Sequence, residues 1–348
     1  MILEFSNLPH GKDQISFMKI EASDGTILEV RKCLNDSEWD LLLAESSQNN
    51  IFLNSKYLTS SSKEESKRVL LRNNTPVLGF TVPTISSDGT ISTQHHFSTY
   101  NGLFFIDKIS SGYSQDLQRI KVLENLMEYF DLAKIQVQLS LHHSIKDIRG
   151  MEWYFFDRQT NLELETCIRY TGLIRLEQFK DFSEYLTTIR KVRVQEYKKS
   201  LASSNYQVIT SNSVDEFCRL YAATFNKHQL KVSIENLTLV KNIIESGIKN
   251  GYGKLFMLVN KEGEAISGSY FATDKTSMYY QFGANDPKFL KENGSTRLIL
   301  RGVENAFAEK KKVFDMVGMN SPLRGEFKAS FNARPAPYFE TKLSLKTK

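Results

Sequence analysis

From Arg68 to Ile85 (RVLLRNNTPVLGFTVPTI) apolar and polar positions alternate on either side of the polar pair Asn73-Asn74. That period predicts two strands joined by a tight turn. A third strand is expected in QHHFSTYNGLFF, ending near Gly102, and then a loop, GYSQDL. The period then changes. From about Asp116 to Ala133, the positions Ile120, Leu123, Leu126, Met127 and Phe130 recur at spacings of three and four, one face of a helix. KIQVQLSL reads as a closing strand.

The same order of elements returns later in the chain. KLFMLVNKEGEAISGSYFAT (Lys254 to Thr273) reads as a hairpin with its turn at Glu262-Gly263. SMYYQFGAND reads as a strand that stops after Gly283, and PKFLKENGS as a loop. A helix is expected from about Thr296 to Lys311, with Leu298, Leu300, Val303 and Phe307 on its apolar face, before the strand KVFDMVGM. Gly79 corresponds to Gly268 and Gly102 to Gly283. Helical segments precede each unit: WDLLLAESS and IFLNSKYLTSSSKEESK before the first, VDEFCRLYAATFNKH and ENLTLVKNIIESGIKN before the second. The class this predicts is mixed α/β, two similar domains in tandem, each a twisted mixed sheet flanked by helices. We place the first at 1–165, with the tail 333–348 packing back on it, and the second at 166–332.

Length agrees, because 348 residues suffice for about two domains. Hydrophobic residues make up 41% and charged residues 24%, an ordinary globular balance. The net charge of +5 suits an anionic small ligand but does not by itself predict nucleic acid, and no DNA partner is expected. No stretch approaches the apolar length of a membrane span, so no membrane insertion is expected. The opening MILEFSNLPHGKDQ lacks a basic then apolar leader pattern. Cys33, Cys167 and Cys218 are widely spaced and carry no metal-ligand spacing. They read as reduced thiols in a cytoplasmic protein, with no metal site.

Three local patterns carry a resemblance. LTTIRKVRVQEYKKSLASSNY (Leu186 to Tyr206) resembles a basic helix that opens the second half of tandem GNAT (Fem-like) N-acyltransferases. YYQFGANDP, a helix and FDMVG resemble the core signature of an aromatic strand, a helix and a D-x-x-G strand. GEFKASFNARPAPYF (Gly325 to Phe339) resembles the F-K-x-x-F closing motif. The resemblance covers most of the chain beyond about Trp39, and extends to nucleotide-linked amino-sugar N-acyltransferases. One pattern departs from it. The acyl-CoA loop Q/R-x-x-G-x-G/A is replaced by KENGSTRL (Lys291 to Leu298) and, in the first repeat, by SSGYSQDL.

The resemblance implies direct transfer from acyl-CoA, a cosubstrate and not a resident cofactor, to the amine of a nucleotide-linked (for example dTDP- or UDP-) amino sugar. The donor would lie between two splayed strands, along Phe282, Gly283 and Ala284. Its phosphates would face the start of a helix at Gly294, Ser295, Thr296 and Arg297, where the helix dipole favours an anion. Ser295 or Thr296 also serves simply as a helix cap. Tyr280 and Asn320, with Arg190 and Arg193 of the basic helix, are candidate acceptor contacts, although a basic helix face is equally explained by solvation. Lys328, the lysine of the closing motif, would bind phosphate or steady an oxyanion.

A histidine is the natural base for an attacking amine, and His142-His143 ends the last strand of the first repeat, where a cleft between domains would lie. The alternative is a pair of surface or capped histidines. His95-His96 reads as structural, and His10 and His228 carry no context. Two further readings stay open: a Fem-type peptidyltransferase using aminoacyl-tRNA on a cell-wall precursor, and a non-catalytic GNAT-like binding protein. The absence of a coiled-coil-like stretch between Leu201 and Lys254 and the modest charge favour acyl-CoA over tRNA.

Overall fold

The computed structural model describes residues 17–21, 25–61, 65–83, 97–106, 112–226 and 232–346. His10, His95, His96 and His228 lie outside them. The chain divides into two compact units, Met1–Ile168 with Tyr338–Lys348, and Arg169–Pro337.

In the first unit β1 (Phe17–Glu21), β2 (Ile27–Lys32), β3 (Glu65–Arg72), β4 (Thr75–Pro83) and β5 (Leu103–Phe105) form an antiparallel sheet in that order. Between β2 and β3 lie α1 (Asp36–Ala44) and α2 (Ser55–Ser61). Asn73 and Asn74 both have positive φ, 49° and 65°. Two such residues make the tight turn whose twist matches a hairpin. The side chain of Asn73 also accepts the Ile27 backbone N–H at 3.0 Å, tying the turn to β2. α3 (Tyr113–Leu132) lays Leu123, Leu126, Met127 and Phe130 against Leu70, Leu78 and Phe80. β6 (Val137–Ser140) and α4 (Arg149–Phe156) complete the run.

Two details differ from the pattern-based expectation. The third strand starts after Gly102 rather than ending there, because Gly102 at φ 92° turns the chain into β5. Residues Glu65 to Lys67, read above as the end of a helical segment, open β3.

The second unit begins within β7 (Leu162–Arg175). It continues through α5 (Phe182–Thr188), α6 (Lys191–Ala202), β8 (Tyr206–Thr210), α7 (Val214–Asn226) and α8 (Ile234–Asn250). β9 (Gly253–Asn260), β10 (Ala265–Thr273), β11 (Ser277–Asn285), α9 (Gly294–Ala308), β12 (Val313–Gly318) and α10 (Pro322–Ala329) follow. The strand order is β7-β12-β11-β10-β9-β8, with β11 and β12 parallel and the other neighbours antiparallel. α9 buries Leu298, Ile299, Leu300 and Val303 against Phe256, Leu258, Phe271 and Phe314. The order β3-β4-β5-α3-β6 of the first unit thus recurs as β9-β10-β11-α9-β12.

The stretch Leu186 to Tyr206 is not one helix. It breaks at Ile189 and Arg190, both extended, because the Arg190 N–H leaves the helix to reach the Ser330 carbonyl at 3.0 Å. Tyr206 already belongs to β8. β13 (Arg334–Leu345) closes the chain, and its residues from Tyr338 onward belong to the first unit. There Leu343 pairs with Val137 of β6 and enters the same core.

Candidate functional site

β11 and β12 pair only over Ser277–Val313, Met278–Phe314 and Tyr279–Asp315, and then part. Both strands contribute to the parting. On β11 the register with β10 jumps from Tyr270–Phe282 to Phe271–Tyr280, so Gln281 is an extra residue, a β-bulge that takes backbone groups out of the ladder. On β12, Val317 has φ 50°, a left-handed conformation that costs a β-branched residue about 1–3 kcal/mol. Asp315 holds it there: its buried carboxylate accepts the Val317 N–H at 2.7 Å and the Thr171 hydroxyl at 2.5 Å.

The turn at Val317 also aims two carbonyls at Lys328. Its Nζ donates to the Gly318 oxygen at 2.9 Å and lies 3.4 Å from the Val317 oxygen. It stands 5.9 Å from the centre of the Tyr280 ring on β11. Lys328 is thus buried beside the opening between β11 and β12. Burial pushes its ammonium down to about 8; Arg324 adds to the shift and Asp315 opposes it. Burial likewise raises the Tyr280 hydroxyl, to about 12.

Beyond the bulge, Phe282 and Ala284 are buried. Gly283 lies beneath Tyr280: a Cβ there would meet the Tyr280 hydroxyl oxygen at 2.0 Å. Asn285 then links the strand to the next helix, bonding Ser267 at 2.7 Å and Ser295 at 2.8 Å. α9 opens from Asn293 at φ 57° with no side-chain cap. A 15-residue helix therefore begins next to the end of β11 with its first N–H groups uncovered by any capping side chain.

Several residues expected at a ligand are engaged elsewhere. Arg297 is one of them. It is buried, and its Nη1 donates to the Ser200 carbonyl at 2.5 Å and the Tyr206 carbonyl at 3.4 Å, joining α9 to the end of α6 and the start of β8. The Thr296 hydroxyl donates to Glu196 at 2.7 Å. Arg193 is a packing hub: it bonds Glu196 at 2.5 Å and Ser330 at 2.9 Å, and its guanidinium lies 4.8 Å from the Phe327 ring centre. Arg190 is exposed and pairs with exposed Glu326 at 3.2 Å. The Asn320 amide bonds both backbone groups of Tyr170, at 2.8 and 3.2 Å, continuing the pairing of β7.

His142 and His143 lie in the first unit. His142 is buried, and its Nδ1 receives the Ser144 N–H at 3.2 Å beside the Ser144 hydroxyl at 2.7 Å. Burial, with the charges of His143 and Lys146, pushes its pKa well below the usual range. The ring is therefore neutral near pH 7, and one of its nitrogens is engaged by Ser144. His143 lies 4.2 Å from it, centre to centre.

Sequence reasoning noted the D-x-x-G pattern but gave Asp315 no task, and it missed Thr171 altogether. The only available signal was a lone acid in an apolar strand, which is costly unless bonded. Among the described residues, no group of three or more His, Cys, Asp or Glu could hold a metal. None of the described helices is long and apolar enough to cross a membrane.

The family model described as "Acetyltransferase (GNAT) domain" matches residues 188–329. Residues 188–329 of the second unit thus match a GNAT acetyltransferase domain, and the chain has a tandem GNAT, Fem-like fold. Among solved structures it is similar to FemX at 10% identity, covering 88% of this chain and 96% of that one, with a TM-score of 0.64. It is also similar to a conserved protein of unknown function from Bacteroides thetaiotaomicron VPI-5482, at 12% identity, 90% and 98% coverage and TM-score 0.58. A tandem GNAT protein from the clavulanic acid biosynthesis pathway gives 11%, 92%, 99% and 0.52. No curated protein matches the chain in sequence.

Proposed function

We propose that the second unit transfers an acyl group from acyl-CoA to the amine of a nucleotide-linked amino sugar. The observation that carries this reading is the opening between β11 and β12, with a bulge on one side and Lys328 on the other. Backbone groups of the strand beyond the bulge would pair with the donor's amides along Phe282–Asp286. The donor's phosphates would lie at the uncapped start of α9, on the N–H groups of Gly294, Ser295 and Thr296. Arg297, held by backbone carbonyls, is no longer part of that set.

In the transfer the amine attacks the thioester carbon, the C–N bond forms and the C–S bond breaks. The thiolate leaves and takes up the proton that the amine gives up, directly or through water. Lys328 has three donors and two carbonyl partners. Its remaining donor would stabilise the developing oxyanion or an acceptor phosphate. The depressed, neutral His142 is a poor base, so we assign positioning, rather than a histidine, as the main source of rate.

The fold shared with FemX supports a second reading, a Fem-type transferase with an aminoacyl-tRNA donor at the same opening. α8, with 17 residues, fills most of the segment between α7 and β9, where an additional tRNA-embracing hairpin would have to sit. Calorimetric titration with CoA decides between the donors. Saturable CoA binding lost in Gly283→Trp supports the first reading; no binding at millimolar CoA sinks it.

A further inference from the structure

Lys328 sits in the last turn of α10, buried, with its Nζ within reach of both strands that part. The carbonyls of Val317 and Gly318, at the end of β12, lie 3.4 and 2.9 Å from it. The Tyr280 ring of β11 stands 5.9 Å away. An ammonium has three N–H donors and no lone pair. A neutral amine has two N–H donors and one lone pair. The two carbonyls use both donors of the neutral form, so its lone pair is directed away from them. A desolvated lysine of this kind is a nucleophile.

The surroundings favour the neutral form more than water does. The two partners are neutral carbonyls rather than a carboxylate. Asp315 on β12 opposes the loss of the proton, but its carboxylate is already engaged by Thr171 and Val317. Arg324, on α10 itself, and burial both favour that loss, and half of the Lys328 side chains are neutral at about pH 8.

Resting on the donor assigned above, we propose that Lys328 is itself an acyl acceptor: with no other amine present, its neutral Nζ attacks the thioester held between β11 and β12. The Nζ–C bond forms and the C–S bond breaks. The thiolate leaves with the electrons of that bond and takes up the proton that the nitrogen releases. The product is an amide, too stable to pass its acyl group to a second amine. The reaction is therefore a self-limiting modification and not a step of the transfer. It removes the positive charge beside the opening and leaves an acyl group in its place.

The test is incubation of the full chain with acetyl-CoA and no acceptor, followed by peptide mapping in a mass spectrometer. We expect one acetyl group on Lys328 ahead of exposed lysines such as Lys198 and Lys199. Excess CoA should slow that modification and not the others, and Lys328→Arg should lack the first acetyl group. The rate should rise about tenfold from pH 7 to pH 9 and level off, whereas an ordinary lysine keeps climbing toward its higher pKa. Lys328 left unmodified by acetyl-CoA, modified no faster than Lys198, or modified at a rate indifferent to CoA would each overturn the inference. Calorimetric titration with CoA separates the two readings. CoA binding with Lys328 unmodified leaves the donor standing and removes only the self-acylation; no CoA binding removes both.

Discussion

The carboxylate of Asp315 accepts the backbone N–H of Val317, two residues further on, at 2.7 Å. This bond fixes a β-branched residue in the left-handed region and turns the end of β12 toward Lys328. Asp315→Ala would leave both the Val317 N–H and the Thr171 hydroxyl without that partner. We expect a loss of about 3 kcal/mol in urea unfolding. Asp315→Asn keeps an acceptor oxygen and should lose less. It also removes the charge that opposes the downward shift of Lys328, so the Lys328 pKa should fall further.

Lys328 should show its burial as a pH-dependent stability difference. Its folded pKa of about 8 lies below the ordinary 10.5, so between those values the unfolded chain binds more protons. The cost of the buried charge is fully present below pH 8 and is relieved as pH rises toward 10.5. Relative to Lys328→Met, the native protein should gain about 3 kcal/mol between pH 7 and pH 11. A pH-independent difference would contradict the burial argument. If the charged form steadies the oxyanion, kcat/KM should also fall as pH rises through about 8, and Lys328→Met should lower it about a hundredfold.

Gly283→Ala should act through one neighbour. The added methyl meets the Tyr280 hydroxyl oxygen, so the ring must move from beneath Lys328. A cost of about 1–3 kcal/mol is expected, with weakened CoA binding. Tyr280→Phe should be mild alone and should rescue part of the Gly283→Ala loss. Strict additivity in this double-mutant cycle would rule out the contact as the cause.

Arg297 and His142 provide the negative controls for the site. Arg297→Gln should reduce stability by about 2 kcal/mol, since one buried and one half-buried carbonyl lose a charged donor, yet leave CoA affinity within about threefold when measured well below the melting temperature. His142→Asn should leave the pH profile of kcat/KM unchanged, because the ring does not titrate near neutrality. A lost acidic limb in that variant would restore the histidine as base.

Much of the fold could be read from the chain because each signal was local. Period-two alternation around Asn73-Asn74 marks a hairpin, and the three-and-four spacing of Ile120 to Phe130 marks a buried helix face. The break at Ile189-Arg190 could not be read this way, since its cause is a carbonyl at Ser330. The same holds for Arg193, whose partner Ser330 lies 137 positions away. Arg297 could not be placed from the sequence alone, because a guanidinium at a helix start suits a phosphate and a cluster of backbone carbonyls equally well. Lys328 was visible through its motif, but the strained carbonyls that hold it were not, because a positive φ at valine leaves no trace in the residue pattern.

The return of the chain to the first unit at Tyr338 sets an order of assembly on the ribosome. Translation delivers residues from the N-terminus onward, and domains fold as units once their residues are available. The second unit, 169–337, is contiguous and can close when its last residue emerges. The first cannot, because β6 lacks its partner and the core lacks Leu343 until β13 has been made. The unit synthesised first is therefore the one completed last. Until then the edge of β6 stays open to any other strand, so a chaperone or rapid completion of synthesis guards it best.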